Sequence, residues 1–268
     1  MNRLGIELLT VFGLPPVQFI NLAANTGCAH VSMALSQFPA DPYHSSPWSL
    51  RNDAGLRRET KAAIADTGVS ISLGEGYAVR ENVAAQSFAS DIALMAELGT
   101  KRVNIVAMDP DLNRCLDEIA VFAELAATAG MDATVEFAPG LTIADLPGAL
   151  AVVKHVNQPH FRLLVDTMHL IRSGSSAADI AAVDPNLIGY IQLSDAPLIA
   201  TIDNYMQEAT FSRMAPGTGE LPLKDVLAAL PRDLVVSIEA PNRANAVAGK
   251  SLQSWVEQCT TAAQKLLP

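Results

Sequence analysis

The chain has few cysteines, few charged residues and no long uncharged apolar run. Its 268 residues include 3 cysteines, widely spaced and without a Cys-x-x-Cys pair, which excludes a disulfide framework and a thiolate zinc site. This usage is typical of a reducing compartment, so we expect a cytoplasmic protein. No uncharged apolar stretch reaches the roughly 18 to 20 residues that a membrane-spanning helix needs, and we expect no membrane partner.

The composition is that of a folded globular protein with an acidic surface. Only 17% of the residues are charged and 50% are hydrophobic, which excludes a disordered chain, a coiled coil and a collagen-like repeat. The net charge is −10, from 28 acidic and 18 basic residues. Because nucleic-acid binders neutralise phosphates with basic faces, we expect a small-molecule substrate and no nucleic acid. The apolar fraction is compatible with a homo-oligomer.

Short apolar runs alternate along the chain with longer amphipathic stretches. The short runs predict strands buried on both faces of a parallel sheet, at Leu4–Leu9, Cys28–Met33, Gly68–Gly74, Lys101–Ala107, Met131–Phe137, Phe161–Val165, Ile188–Leu193 and Leu234–Ile238. The amphipathic stretches predict helices at Ser87–Leu98, Asp111–Ala129, Leu141–Val156, Pro222–Leu230 and Lys250–Leu267, with a further helix opening at Pro15-Pro16.

Eight such strand–helix units predict a (β/α)₈ TIM barrel, an α/β fold, with a doubly wound open sheet as the alternative. No shift of composition and no Ser/Gly-rich linker divides the chain, so we expect one domain over residues 1–268. Two connections, residues 36–53 and 196–220, are unusually long. Long connections in compact domains are commonly lids or binding loops, and in a barrel both of these would lie on the catalytic face.

Each of the last four predicted strands meets one oxygen-bearing side chain at its carboxyl end. These side chains are Glu136, Asp166, Gln192 and Glu239. Consecutive strands are neighbours in a barrel, and the carboxyl ends of the strands share the face on which barrel enzymes hold their active sites. The sequence therefore predicts that these four side chains converge.

Three converging carboxylates need a compensating charge. At about 4 Å and an effective dielectric near 20, each pair of like charges costs roughly 4 kcal/mol. Either some of the carboxyls are protonated or a cation lies between them, and a divalent metal is the simpler solution. An all-oxygen ligand set of Glu136, Asp166, Gln192 and Glu239 favours Mg²⁺ or Mn²⁺, with Co²⁺ or Zn²⁺ as further possibilities.

Four other residues are candidates for catalysis or substrate binding. His169 follows Asp166 by three residues and leaves the same strand end, which suits a substrate contact or a proton transfer. Arg213 precedes Gly217 and Gly219 in a segment that predicts a tight turn with exposed N–H groups, and its guanidinium could pair with a substrate oxygen, carboxylate or phosphate.

Glu75 and His30 come from earlier strands. Glu75 follows the third predicted strand and is a candidate substrate contact. His30 lies in the second predicted strand and would bind substrate if its ring faced the cavity.

At these residues the sequence resembles the xylose isomerase-like barrel superfamily, often labelled sugar phosphate isomerase/epimerase. The resemblance covers almost the whole chain and rests on Val135-Glu136, Val165-Asp166-Thr167-Met168-His169, Tyr190-Ile191-Gln192-Leu193-Ser194-Asp195, the segment Arg213–Leu223 and Ser237-Ile238-Glu239. In the ketose 3-epimerases of this superfamily, a Glu, an Asp, a His and a Glu bind one divalent metal. These positions fall on Glu136, Asp166, Gln192 and Glu239, so this chain has Gln where the epimerases have His.

The resemblance implies a metal-dependent isomerase or epimerase that acts on a sugar or polyhydroxy carbonyl compound through an enediolate. In that enzyme, Glu136 and Glu239 would act from opposite faces of the substrate. The 3-dehydroshikimate dehydratases of the superfamily are also similar here, some with Gln as a metal ligand, and they share the His after the Asp and the Arg of the loop. This resemblance implies a lyase as the alternative, with His169 as the base.

Two further alternatives remain. The endonuclease branch of the superfamily needs several histidine ligands and a DNA-binding groove, and the 5 histidines and the acidic balance disfavour it. A barrel that binds a sugar without turnover would have the same fold, and only an assay for chemistry would separate it from an enzyme.

Overall fold

The structure, a computed structural model that describes residues 2–267, is a closed barrel of parallel strands. Neighbouring strands pair in chain order, and the first pairs with the last, Gly5 opposite Ser237. The strands are β1 Leu4–Ile6, β2 His30–Met33, β3 Ser70–Val79, β4 Arg102–Ala107, β5 Asp132–Glu136, β6 Phe161–Asp166, β7 Ile188–Leu193 and β8 Val236–Ile238. The prediction of a TIM barrel is confirmed, and the open sheet is excluded.

Helices follow the strands and surround the barrel. They are α1 Pro16–Asn25, α2 Ala54–Thr67, α3 Ala89–Glu97, α4 Leu112–Thr128, α5 Leu146–Val156, α6 Thr167–Arg172, α7 Ala177–Ala181, α8 Tyr205–Phe211, α9 Leu223–Ala229, α10 Arg243–Val247 and α11 Leu252–Leu266. Within residues 2–267, none of these helices is both long and apolar enough to cross a membrane.

Local sequence signals set the ends of the helices. Asp111 and Asp145 accept hydrogen bonds from backbone N–H groups in the first turns of α4 and α5. Because Asp145 caps α5, that helix begins at Leu146 and not at the predicted Leu141. Gly130 follows α4 with φ of 75°, a conformation that glycine adopts without steric cost, and the helix ends there as predicted.

Two strands differ from their predicted bounds in a way that matters for the site. β1 ends at Ile6 and not at Leu9, so Glu7 directly follows it. β3 runs on from Gly74 to Val79, with an irregular register against β4 between Gly74 and Tyr77. Glu75 therefore lies within β3 and not at its end.

The inside of the barrel is filled from opposite strands. Leu73, Leu164 and Tyr190, from β3, β6 and β7, are fully buried and pack together, so their contact runs through the middle of the barrel. Side chains on alternate positions of a strand point inward, and these bulky ones fill the interior of the barrel. The space that remains open is at the carboxyl ends of the strands.

Candidate active site

A cavity of about 450 Å³ opens at the carboxyl ends of the strands. Its walls include five of the predicted site residues, Glu75, Glu136, His169, Arg213 and Glu239. Both long connections also line it. Residues 36–39 come from the connection after β2, and Met206, Ala209 and Thr210 come from α8, which lies within residues 196–220. Both connections therefore lie at the carboxyl ends of the strands, as expected from the barrel fold.

Glu136, Asp166 and His169 form one group of possible metal ligands, with ligand atoms within 4.8 Å of one another. The His169 Nε2 atom is 3.5 Å from the Glu136 Oε1 atom. The other carboxylate oxygen of Glu136 accepts a hydrogen bond of 2.8 Å from the Asn104 side chain on β4. The Thr134 hydroxyl donates to the side-chain Oδ1 atom of Asn104, so the amide is oriented and presents its NH₂ group to Glu136.

The two carboxylate oxygens of Asp166, at the end of β6, accept hydrogen bonds from different groups. Its Oδ1 atom accepts hydrogen bonds from the backbone N–H groups of Met168 and His169, which begins α6 and directs His169 into the cavity. Its Oδ2 atom accepts from the guanidinium of Arg213. Burial alone would raise the pKa of Asp166, but the charge of Arg213, that of His169 when its ring is protonated, and the hydrogen bond from the backbone of His169 hold it below its usual value.

Arg213 is a buried cation between two buried carboxylates. Besides Asp166, its Nη2 atom is 2.9 Å from the Glu239 Oε2 atom. Its Nε atom donates to the Ala209 carbonyl oxygen of α8 at 2.6 Å, and its Nη1 atom donates to Ser194. The guanidinium thus supplies part of the compensating charge for which the sequence indicated protonation or a metal ion.

Hydrogen bonds to Asp195 hold the segment that contains Arg213 in place. The Asp195 carboxylate accepts hydrogen bonds from the backbone N–H groups of Gly219 at 2.9 Å and Leu221 at 3.1 Å. The expectation of a tight turn with exposed N–H groups is therefore wrong at Gly219. That N–H holds the turn, and a Cβ at Gly219 would collide with Asp195.

Gln192 and Glu239 are neighbours on β7 and just beyond β8. The Gln192 Nε2 atom lies 3.5 Å from the Glu239 Oε1 atom, and Asp166 is directly opposite Gln192 in the β6–β7 register. The Gln192 Oε1 atom is buried and has no hydrogen-bond partner among residues 2–267. A buried amide oxygen without a partner is costly, which indicates a position suited to a ligand that accepts its lone pair.

A second acidic group lies beside the first and contains Glu7, Glu75 and Glu239. Glu7 is fully buried and its Oε1 atom accepts a hydrogen bond of 2.9 Å from Tyr190. Burial, together with the charge of Glu7 and a hydrogen bond to it, raises the pKa of Glu75 well above its usual value. A protonated Glu75 can donate to Glu7, so this group can lower its own repulsion without a metal.

Replacing Glu75 with Gln is expected to remove a pH-dependent loss of stability. The Glu75 carboxyl keeps its proton to a higher pH in the folded protein than in the unfolded chain, where it ionises above about pH 4.3. Its contribution to the free energy of unfolding is therefore complete below that pH. It falls as the pH rises towards the folded-state pKa, by up to about 1.4 kcal/mol per pH unit. Urea unfolding of both proteins with a chelator, across pH, measures this, and parallel pH profiles would contradict it.

His30 is not part of the site, contrary to the prediction. It is the first residue of β2, at the amino end of the strand, and its ring hydrogen-bonds to Ser70 and to the Asn2 carbonyl oxygen. The cavity lies at the other end of the strands. The strand was identified correctly, but the position of His30 within it places the ring away from substrate.

Comparison with known proteins agrees with this architecture. The model of the xylose isomerase-like TIM barrel family matches residues 20–259. The chain belongs to this family. A 3-dehydroshikimate dehydratase from Pseudomonas aeruginosa is 27% identical over 230 residues, which cover 77% of this chain and 36% of that protein. The chain therefore spans about a third of the length of this curated relative.

Solved structures share the fold at low identity. The IolI protein with a bound zinc atom has a TM-score of 0.81 and 15% identity, over 99% of this chain and 98% of that one. D-psicose 3-epimerase with D-tagatose, from Clostridium cellulolyticum, has a TM-score of 0.75 and 14% identity, over 98% of this chain and 97% of that one. A dehydratase is thus similar to this chain in sequence, and an epimerase shares its fold.

The residues at the cavity of this xylose isomerase-like barrel fit a divalent metal by their chemistry. The predicted ligands provide carboxylate oxygens and one amide oxygen, the donors that hard cations prefer. The buried Gln192 oxygen without a partner is the feature that a cation would satisfy. In the present arrangement Glu136 and Asp166 group with His169, and Glu239 groups with Glu7 and Glu75. The ligand set of Glu136, Asp166, Gln192 and Glu239 therefore remains a prediction.

Three residues of the site were not predicted from the sequence: Glu7, Asn104 and Tyr205. Glu7 follows the same strand-end pattern as the predicted residues, but the predicted β1 was too long to reveal it. Asn104 is a polar residue within an apolar strand, which is a usable signal. Tyr205 opens α8, and Asn204 before it caps that helix by accepting from the Gln207 N–H.

Proposed function

We propose that this chain is a divalent-metal-dependent carbon–oxygen lyase that dehydrates a polyhydroxy carbonyl compound, of the 3-dehydroshikimate dehydratase type. The observation that carries the proposal is His169, whose Nε2 atom lies at the cavity beside Glu136 and Arg213 while Tyr205 holds the other ring nitrogen. One positioned base suits elimination, which needs a single proton to be removed from carbon. The Pseudomonas aeruginosa dehydratase supports the same reading.

The side chains of the site have distinct parts in this reaction. His169 Nε2 takes the proton from the carbon next to the substrate carbonyl, and the C–H electrons form the new double bond as hydroxide leaves the next carbon. The imidazolium can return its proton to that hydroxide, so that water is released and the ring is neutral again. Arg213 faces His169 Nε2 at 3.4 Å and is placed to hold a substrate oxygen.

Glu136, Asp166, Gln192 and Glu239 would hold the metal, Mg²⁺ or Mn²⁺ by their oxygen donors, with Co²⁺ or Zn²⁺ also compatible. A cation bound there supplies polarisation of the carbonyl and stabilises the negative charge that develops on its oxygen. Asn104 orients Glu136, and Asp166 orients His169 through its cap of α6.

A second candidate function is the isomerase or epimerase that the sequence favoured. It would pass through the same first step and return the proton to the other face or to the neighbouring carbon. The placement of Glu136 and Glu239 at the same cavity favours it, because two carboxyls could serve opposite faces of the substrate. We expect a small-molecule substrate in either case.

The two candidates are separated by following carbon chemistry directly. The purified protein is stripped with a chelator, reloaded with Mg²⁺ or Mn²⁺, and incubated in D₂O with 3-dehydroshikimate and a panel of ketoses and sugar phosphates. Water loss, seen as new olefinic or aromatic NMR signals and ultraviolet absorbance, supports the lyase. Deuterium at a carbon without water loss supports the isomerase or epimerase. Binding with neither change would leave a barrel without turnover and overturn both proposals.

A further inference from the structure

Two cross-helix contacts join α8 to α6 beside the cavity. The Tyr205 hydroxyl oxygen lies 2.5 Å from the His169 Nδ1 atom, and Arg172 pairs with Glu208 at 3.0 Å with both side chains buried. Tyr205 and Glu208 are three residues apart on α8, and so are His169 and Arg172 on α6. Residues at this spacing share one face of a helix, so two matched pairs fix the faces against each other.

A third contact fixes the same face of α8 to the catalytic arginine. The carbonyl oxygen of Ala209, one residue beyond Glu208, accepts the Nε–H of Arg213. Contacts with His169, Arg172 and Arg213 therefore fix α8, and with it the position of Tyr205. Burial, with a contribution from the charge of Asp166, raises the pKa of Tyr205, so its hydroxyl remains neutral at physiological pH.

The groups around the His169 ring favour a proton on one particular nitrogen. Near Nδ1, at 3.9 Å, is the Asp166 carboxylate, which can only accept and so favours an N–H at that position. The Tyr205 hydroxyl can donate or accept, and its oxygen is placed to accept from that N–H. Near Nε2, Arg213 can only donate, from 3.4 Å, and so favours a free lone pair. Glu136 at 3.5 Å favours the opposite, but its charge would be engaged by a cation.

We propose that Tyr205 is a positioning residue that accepts a hydrogen bond from His169 Nδ1–H and thereby keeps the Nε2 lone pair of His169 in the cavity, ready to take a proton from substrate. This inference rests on the proposed role of His169 as base. The neutral hydroxyl accepts from Nδ1–H both before and after Nε2 is protonated. Proton uptake then requires no rearrangement of the ring, which is how an orienting partner assists a histidine base.

The first test reads the tautomer and needs no substrate. Two-dimensional ¹H–¹⁵N spectra of the protein with ¹⁵N-labelled histidine, with and without Mg²⁺, report which ring nitrogen carries the proton, and the H169Q variant assigns the signals. We expect a pyrrole-type Nδ1 and a pyridine-type Nε2 in the wild type. A pyridine-type Nδ1 in the folded wild type would overturn the proposal, whatever reaction the protein catalyses.

The second test uses Tyr205→Phe, which keeps the ring and removes the hydroxyl. We expect this variant to lose the preference for Nδ1–H and to lower kcat by about 10- to 100-fold with KM little changed, the usual scale for loss of an orienting partner. Tyr43→Phe is the matched control, because within residues 2–267 the one hydrogen bond of the Tyr43 hydroxyl goes to the Lys250 carbonyl oxygen, and Tyr43 does not line the cavity. We expect it to be unchanged in both measurements.

The outcomes separate this inference from the proposed function. Loss of the Nδ1–H preference in Tyr205→Phe, in a protein that turns over none of the candidate substrates, would support the positioning role and reject the proposed reaction. An unchanged tautomer and unchanged kcat in a folded Tyr205→Phe protein would reject the positioning role and leave the reaction standing. Thermal melting of each variant shows whether it is folded.

Discussion

Arg213→Met is expected to destabilise the metal-free protein by about 3–5 kcal/mol, the cost of removing one partner from a buried ion pair. The Arg213 side chain is 2% exposed and its two partners, Asp166 and Glu239, are 0% and 8% exposed. Methionine fills a similar volume but leaves both carboxylates without their cation. One of them must then take up a proton or draw in an ion from solution. Urea unfolding in the presence of a chelator measures the loss.

The same variant tests whether a metal can take over the role of the arginine. If a divalent cation binds these carboxylates in the folded state, added Mn²⁺ should restore part of the lost free energy, since a ligand of the folded state stabilises it by mass action. Arg51→Met is the control, because Arg51 pairs with Asp91 at the surface and should contribute less than about 1 kcal/mol. Equal unfolding free energies for Arg213→Met and the wild type would contradict this view of the site.

The position of the site could be predicted from sequence because it depends on strand ends. Glu136 and Asp166 are the last residues of β5 and β6, and Gln192 lies directly opposite Asp166 in the next strand. In a closed parallel barrel, all carboxyl ends lie at one rim, so an apolar run followed by a polar residue indicates a position at the cavity. The order of the units was enough to predict the fold.

The details that escaped prediction depend on side-chain contacts and on the exact ends of strands. His30 was assigned to the cavity because the sequence predicted the strand but not the end of the strand at which His30 lies. Glu7 was missed because an apolar run does not show where pairing stops, and Leu8 and Leu9 continue the run beyond β1. The partnership of Arg213 with Asp166 links residues 47 positions apart, and no periodic pattern records such a pair.

Glu239→Gln is expected to separate function from stability at this site. Burial raises the pKa of Glu239, and the charges of Glu136, Asp166 and Glu7 add to the effect although Arg213 opposes it. A neutral amide at this position removes that repulsion, and its carbonyl oxygen can still accept from Arg213. We therefore expect the unfolding free energy without metal to be unchanged or higher. Carboxylate clusters at functional sites commonly lower stability in this way.

The function of Glu239→Gln should fall sharply for the same reason. The negative charge that destabilises the fold is what attracts a cation, and we expect weaker Mn²⁺ binding and a loss of turnover of about 100-fold or more. Titration followed by electron paramagnetic resonance measures the free Mn²⁺, and Glu97→Gln, an exposed carboxylate near Arg57, is the matched control. Wild-type Mn²⁺ affinity and turnover in Glu239→Gln would contradict the assignment of Glu239 as a ligand. A variant that is more stable yet inactive would indicate that this acidic cavity is maintained for catalysis and at the expense of the fold.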